Sequence, residues 1–196
     1  ATTLISYGAP DPIAGSTGLP TRVVDPLGNA TEILYATNLY GWDNRRLYPT
    51  KITNALGQVS YARVDLRFGR PQHSVAPTGA LTSLQYDGLG RLTAVFRNGQ
   101  GTAWRMFDYA FGQPPALAGN PPLPSRVDTF QREPNHPAGH RQANTFIDSF
   151  GRTLASKRED WVQGAAAVIV SGATSFDAAG RAASTAAPFL ASQPLE

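Results

Sequence analysis

Acidic residues are the first feature of the sequence that could do chemistry, because a glycosidase needs two carboxylates facing each other across a cleft. The acids that could serve are Asp43, Asp108, Asp148, Glu159 and Asp160. Asp148 belongs to a repeated turn motif, and we interpret Glu159 and Asp160 as a solvated turn. The sequence contains no Gly-x-Ser-x-Gly elbow, phosphate loop or dinucleotide fingerprint. A hydrolase is therefore the least favoured function considered.

Histidines offer a second kind of chemistry, metal binding, at His136 and His140. Their spacing suits one face of a helix, but Pro137 and Gly139 oppose a helix there. His73 is remote in sequence, and no acidic cluster flanks the pair. The chain has no cysteine, which excludes disulfides and a Cys–His nucleophile. We predict no metal site, no catalytic residue and no cofactor.

Aromatic side chains could bind sugars by stacking, and Tyr40, Trp42 and Trp104 are the candidates. A secreted or cell-surface carbohydrate-binding β-module is thus an alternative function. In strands such residues more often pack within the protein or pair across strands, so packing is favoured. The net charge is +3 with scattered basic residues, which favours solubility over nucleic-acid binding.

A motif of the form apolar-Asp-x-x-Gly-Arg occurs three times and explains several charged residues as architecture. The three copies comprise Tyr86, Asp87, Gly90 and Arg91, then Ile147, Asp148, Gly151 and Arg152, and finally Phe176, Asp177, Gly180 and Arg181. An Asp that opens a turn can accept backbone N–H bonds, and the Gly supplies a positive φ. The Arg then faces the Asp across the turn and pairs with it. Each exposed pair should stabilise little.

A looser turn repeats in the first half of the chain. Asp25-Pro26-Leu27-Gly28-Asn29 recurs as Asn54-Ala55-Leu56-Gly57-Gln58. The preceding segments, Pro20 to Val24 and Pro49 to Thr53, also match. An internal repeat of this kind predicts a serial architecture of similar hairpins.

The segments that flank these turns predict an all-β fold of antiparallel hairpins. Leu84 and Tyr86 alternate with polar residues before the turn, and Leu92, Ala94 and Phe96 do so after it, which is a hairpin pattern. Gly 19 and Pro 16 favour short strands and many turns. No span of a dozen residues has a helical period. Residues 110–124 are predicted to form a proline-rich loop insert.

The sequence resembles a known family at these motifs. The stretch from Tyr86 to Leu92, with the turn at Asn98 to Gly101, resembles the YD repeat of RHS-repeat proteins. The Asp25 turn resembles the partner half of that repeat. Residues 161–190 are similar to the RHS region of the B component of bacterial ABC-type insecticidal toxin complexes and of related large RHS toxins. The resemblance covers roughly residues 20–190.

The resemblance implies a fold and a role. Family members spiral into a hollow β-shell that encapsulates and protects a toxic C-terminal polypeptide. Residues 1–196 would form a single structural section of that wall, taken from a much larger protein, and would carry no enzyme activity. Its partners would be the rest of the shell, the enclosed polypeptide and other toxin-complex subunits. The location implied is secreted or extracellular, in bacteria.

Some residues depart from the family pattern. Asp65 to Arg70 has one extra residue between Asp and Gly, and the Asn54 turn lacks the Arg. The family's autoproteolytic Asp motif is not matched. Because a wall section by itself has unpaired strand edges, we predict that the isolated segment self-associates. The longest apolar run is too short for a membrane span.

Overall fold

Short strands joined by tight glycine turns make up the chain wherever it is described. The computed structural model describes residues 2–7, 18–36, 38–112, 124–136, 138–162 and 165–191. These residues form sixteen β-strands, which pair with one another in antiparallel fashion, and contain no helix. No helix that could cross a membrane occurs in these ranges. The predicted all-β hairpin fold is confirmed.

The chain divides into two compact units, residues 1–102 and 103–196. In the first unit each strand pairs with the next one along the chain, which is a simple meander. Its strands are β1 (Leu4–Tyr7), β2 (Pro20–Val24), β3 (Ala30–Leu34), β4 (Lys51–Thr53), β5 (Val59–Asp65), β6 (Arg70–Val75), β7 (Leu81–Tyr86) and β8 (Leu92–Arg97).

The second unit contains a meander of fewer but longer strands and a small separate hairpin. The meander comprises β9 (Arg105–Ala110), β10 (Ser125–Arg132), β11 (His140–Ile147), β12 (Thr153–Val162) and β13 (Ala165–Ser171). The hairpin pairs β14 (Thr174–Phe176) with β15 (Ala182–Thr185). The last strand, β16 (Phe189–Leu190), returns to pair with β13.

In a meander each turn reverses the direction of the chain. Every second turn therefore lies at the same edge of the sheet. In the first unit the turns at Asp25–Asn29, Asn54–Gln58 and Ala76–Ala80 therefore share one edge. The β5–β6 turn and the Asp87 turn share the other edge, together with the long connection between β3 and β4. The repeat seen in the sequence thus reflects two rows of turns.

Little apolar surface is buried in either unit. Among the described residues the buried apolar side chains are Val75, Ala94 and Val170. Six polar or charged residues are also buried: Asn38, Asn44, Thr50, Asp65, Asp128 and Asn144. Because most buried polar groups in proteins are hydrogen-bonded, specific polar contacts help to define this fold.

Several boundaries differ from the sequence-based expectation. Glu159 and Asp160 do not form a solvated turn but lie inside β12, which pairs with β13 from Ser156 to Val162. Ala110, the first residue of the predicted insert at 110–124, belongs to β9, and residues 113–123 lie outside the described residues. The alanine-rich segments that begin at Ala165 and Ala182 form strands β13 and β15 and not helices.

Candidate functional site

The repeated turns are the best-defined local structures of the chain, and five of them share one hydrogen-bond pattern. They open at Asp25, Asn54, Asp87, Asp148 and Asp177. In each, the N–H of the first residue donates to the carbonyl oxygen of the fifth, at 2.9–3.0 Å. The glycine N–H, at the fourth position, donates back to the carbonyl of the first. We call these five the Asx turns.

The side chain at the first position closes each Asx turn from inside. In the Asp87 turn, the N–H groups of Leu89 and Arg91 both donate to Oδ1 of Asp87, each at 2.9 Å. The same two bonds recur in the other four turns. Gly90 has a φ of 76°, a left-handed conformation that a glycine adopts without strain. Gly28, Gly57, Gly151 and Gly180 stand at the same place in their turns, also with positive φ.

The fifth residue adds a contact that varies with its type. Arg91, Arg152 and Arg181 each donate from Nε to Oδ2 of the opening Asp, at 2.6, 2.7 and 2.8 Å. In the two looser turns an amide replaces the guanidinium, as Asn29 donates to Asp25 and Asn54 donates to Gln58. The predicted Asp–Arg pairs are therefore present. Two of them are half-buried rather than exposed, and only Arg181 is largely exposed.

The hydrogen bonds of the Asx turns favour ionised carboxylates. The backbone N–H bond from Arg91, together with the guanidinium of the same residue, lowers the pKa of Asp87 below its ordinary value. The equivalent bonds from Arg181 lower the pKa of Asp177. In the Asp25 turn the side-chain amide of Asn29 is the main cause of a lowered pKa. These carboxylates are suited to closing turns and not to accepting protons near neutral pH.

The irregular turn between β5 and β6 contains one extra residue, and a different arginine closes it. Arg67, not the expected Arg70, pairs with Asp65, donating from Nε at 3.1 Å and from Nη2 at 2.7 Å. The N–H of Arg67 also donates to Oδ1 of Asp65. The guanidinium of Arg70 lies instead 5.9 Å from the ring centre of Tyr86. The position of the Arg shifts, but the closed turn is kept.

Neighbouring turns at one edge of the first unit are packed against each other through an aromatic ring. The ring of Phe68, in the β5–β6 turn, covers Gly90, where an added Cβ would lie only 2.9 Å from its Cδ1. Tyr86, the last residue of β7, donates its hydroxyl hydrogen to the carbonyl of Pro71 at 2.7 Å. The Asp87 turn is therefore held to the turn before it by a ring and a hydroxyl.

The last two Asx turns are linked through a guanidinium. Arg152 donates from Nη1 to the carbonyl oxygen of Gly180 at 2.9 Å. Its Cζ atom lies 4.0 Å from the ring centre of Phe176, the residue that precedes Asp177. This geometry is a cation–π contact combined with a hydrogen bond. One arginine thus closes its own turn at Asp148 and holds the next turn.

The long connection from β3 to β4 is pinned by three polar residues that the sequence analysis did not single out. Asn44 donates to the carbonyls of Pro49 and Ala62 and accepts the N–H of Val64. Thr50 donates to carbonyl oxygens on the β3 side of the connection, and Asn38 donates to the carbonyl of Thr50. No motif marks such residues, because their partners are up to 20 residues away.

The aromatic candidates for sugar binding mostly pack within the chain. Trp42 stacks on Tyr40 at 4.9 Å and on His73 at 5.5 Å between ring centres. Tyr40 also meets the edge of Tyr61 at 5.1 Å. Both rings thus make aromatic contacts within the chain, although Tyr40 remains 45% exposed. Trp104 lies just before β9, beside a cleft that is described further below.

The acids and histidines considered for catalysis or metal binding are dispersed. Asp43 accepts the N–H of Arg45, and Asp108 that of Tyr109. Asp160 pairs with Arg158 at 3.2 Å. Glu159 accepts the N–H of Gln142 and lies 3.7 Å from His136, whereas His140 meets the edge of Phe130. The described ranges contain no group of three potential metal ligands, and the expected absence of catalysis stays a prediction.

Comparison with known proteins addresses the whole architecture. No protein-family model matches the sequence, and no curated protein matches it. Solved structures do match: a crystal structure of TcdB2-TccC3-TEV superposes with a TM-score of 0.73 at 16% identity over 97% of this chain. The Tc holotoxin pore of Photorhabdus luminescens gives 0.71 at 15% identity over 96%. The chain has the fold of a section of these Tc toxin structures.

The match confirms, at the level of the fold, the resemblance to the RHS-repeat region of toxin complexes. This chain spans only 13% of the length of each matched chain. The low sequence identity is consistent with a fold that a few turn positions specify. The residues between the turns need only alternate between apolar and polar side chains and form strand pairs.

Proposed function

We propose that this chain is a structural section of an RHS-type toxin wall, part of a hollow β-shell that encapsulates and protects a toxic C-terminal polypeptide. The observation that carries the proposal is the superposition of 97% of the chain on a Tc toxin structure. The rows of closed turns support it, because each turn returns the chain to pair with the preceding strand. The segment would thus extend a continuous wall and contribute no catalytic group.

The partners follow from the same proposal. The remainder of the shell would pair with the strands at the ends of this section, and the toxic polypeptide would lie behind the wall. Other toxin-complex subunits and a secreted or extracellular location also belong to the proposal. The carbohydrate-binding alternative gains no support, because Tyr40 and Trp42 stack with each other and with residues of β5 and β6.

Limited proteolysis of the full protein that carries this segment tests the proposal. The C-terminal polypeptide should resist digestion while the wall is intact. A Gly90→Ala substitution, which displaces the Phe68 ring from the neighbouring turn, should make the polypeptide more sensitive. A Gly57→Ala substitution is the matched control, because open space surrounds Gly57. Rapid digestion of the C-terminal polypeptide in the unaltered protein would refute encapsulation.

A further inference from the structure

A cleft in the second unit gathers arginines from four neighbouring strands and the segments beside them. Its volume is about 620 Å³. Four arginines line it but only one carboxylate: Arg105, Arg132, Arg141, Arg158 and Glu133. Trp104, Gln131 and Pro134 complete much of the wall. None of these arginines belongs to a repeat turn, so the architecture described above does not account for the cleft.

The register of the sheet places Arg105, Arg141 and Arg158 on one face. Arg105 of β9 lies opposite Gln131 of β10, which in turn lies opposite Arg141 of β11. Arg158 of β12 lies opposite Ala143, two residues beyond Arg141 on the same face. Strands are about 4.8 Å apart, so the row spans about 14 Å. That width accommodates about four residues of an extended peptide.

The chain itself shows which chemistry the cleft accepts. Glu133, at the rim, receives two hydrogen bonds from Arg141, from Nε at 2.9 Å and from Nη2 at 3.0 Å. This is the two-point geometry by which arginine recognises a carboxylate. The guanidinium of Arg141 is therefore paired with the Glu133 carboxylate, and the other arginines add positive charge to the same cleft.

Arg105 and Arg158 are less fully compensated. Arg105 donates from Nη2 to Gln131, but its buried Nε has no hydrogen-bond partner among the described residues. A buried unsatisfied donor is unfavourable, and an acceptor that reorients the guanidinium would relieve it. The side chain of Arg158 is 59% exposed despite its pair with Asp160. Arg158 is therefore accessible to an added anion, and an added acceptor would satisfy Arg105.

We propose that this arginine cleft binds an acidic polypeptide segment, with carboxylates on Arg105 and Arg158 and neighbouring side chains against Trp104. Charge complementarity and the internal Glu133–Arg141 pair both favour carboxylates as the ligand groups. The row of arginines is also about as long as four residues of an extended peptide. This proposal does not depend on the encapsulating role, because it follows from this chain's own charges and register.

Fluorescence anisotropy with a labelled peptide of alternating Glu and Ala, added to the whole 196-residue chain, tests the proposal. The peptide should bind, and raising the salt concentration should weaken binding because the contacts are ionic. A peptide with Gln in place of Glu should not bind. The double variant Arg105→Gln/Arg158→Gln should lose about tenfold or more in affinity. The control Arg22→Gln/Arg45→Gln removes the same charge from the first unit and should change the affinity less than about twofold.

A gain-of-affinity variant keeps the test decisive if an arginine variant misfolds. Glu133→Gln removes the internal competitor for Arg141, so the acidic peptide should bind more tightly to this variant than to the unaltered chain. Unchanged or weaker binding by Glu133→Gln would overturn the proposal, as would an equal loss in the control double variant. Binding of heparin fragments with no binding of the peptide would also overturn it, assigning the cleft to a sulfated glycan.

Discussion

Two pairs of neighbouring turns, one in each unit, are held together by different chemistry: an irregular turn and an Asx turn in the first unit, and two Asx turns in the second. In the first unit the Phe68 ring lies against Gly90. In the second the guanidinium of Arg152 reaches the carbonyl of Gly180. Within each Asx turn the hydrogen bonds are nearly identical. The motif thus specifies the turn, whereas one neighbouring side chain decides how successive turns are joined.

The glycine of the later turn is the common element of both pairs. A Cβ at Gly90 would lie 2.9 Å from Phe68, and one at Gly180 would lie 2.9 Å from Nη1 of Arg152. The two obstacles differ in stiffness, because an aromatic ring in a packed turn moves less easily than the end of an arginine. The same substitution in the two units should therefore have different consequences.

The largest effect is expected for Gly90→Ala. The left-handed φ costs an alanine about 1–2 kcal/mol, and overpacking against the Phe68 ring adds about 1–3 kcal/mol. Gly180→Ala should cost only about 1–2 kcal/mol, because the guanidinium can move aside. Urea denaturation, monitored by circular dichroism, gives both free energies of unfolding. Equal losses in the two variants would contradict the proposed difference in stiffness.

The second prediction removes the carboxylate that is common to the Asx turns. Asp87→Ala deprives the N–H groups of Leu89 and Arg91 of their shared acceptor and leaves Arg91 without its carboxylate partner. We expect the thermal midpoint to fall by several degrees without loss of the fold. Arg91→Gln is the matched control, since it keeps both backbone bonds, and it should lower the midpoint less.

The effect of Asp87→Ala should depend on pH with a definite sign. The pKa of Asp87 is lowered on folding, from an ordinary value of 3.8. Its ionised form therefore contributes stability that is fully present above pH 3.8 and is lost as the pH falls through the lowered pKa. The difference in stability between the unaltered protein and the Asp87→Ala variant should be constant near neutral pH and should disappear in acid. A difference that persists below the lowered pKa would contradict this account.

Local parts of the fold were predictable from sequence, and register-dependent parts were not. The hairpin around Asp87 was predicted residue by residue, because its alternation and its turn chemistry lie within 17 residues, Leu81 to Arg97. The anchoring role of Asn44 was missed, because its partner Val64 lies 20 residues away. Glu159 was misjudged because its acidic neighbour suggested a turn, although the pairing with β13 keeps both residues in a strand. The arginine cleft was missed because Arg105 and Arg141 become neighbours only through the register of three strands.

The third prediction isolates the link between turns in the second unit. Arg152→Gln removes the pair with Asp148, the hydrogen bond to Gly180 and the contact with the Phe176 ring. Arg181→Gln removes only the pair within one turn, with Asp177. We expect Arg152→Gln to cost about 1 kcal/mol more than Arg181→Gln, the size of one hydrogen bond with a cation–π contact. Equal costs would mean that the link between the turns stabilises nothing.

The smallest expected effect comes from a turn that lacks the carboxylate naturally. The turn from Ala76 to Ala80 has the same two backbone hydrogen bonds as an Asx turn, and Gly79 has a φ of 81°. The backbone therefore forms this turn without help from a side chain. Ala76→Asp recreates the order Asp-Pro-x-Gly found at Asp25, where the side chain accepts two N–H groups.

We expect Ala76→Asp to raise the thermal midpoint by a degree or two at neutral pH, because the turn already exists and gains only side-chain bonds. Ala76→Asn should give a similar gain, since Asn54 closes its turn in the same way. Only the Asp variant should lose its gain in acid, because an amide does not titrate. A loss of stability in both variants would show that the backbone of this turn cannot accommodate the closing side chain. The turns at Asp25 and Ala76 would then differ in more than their first residue.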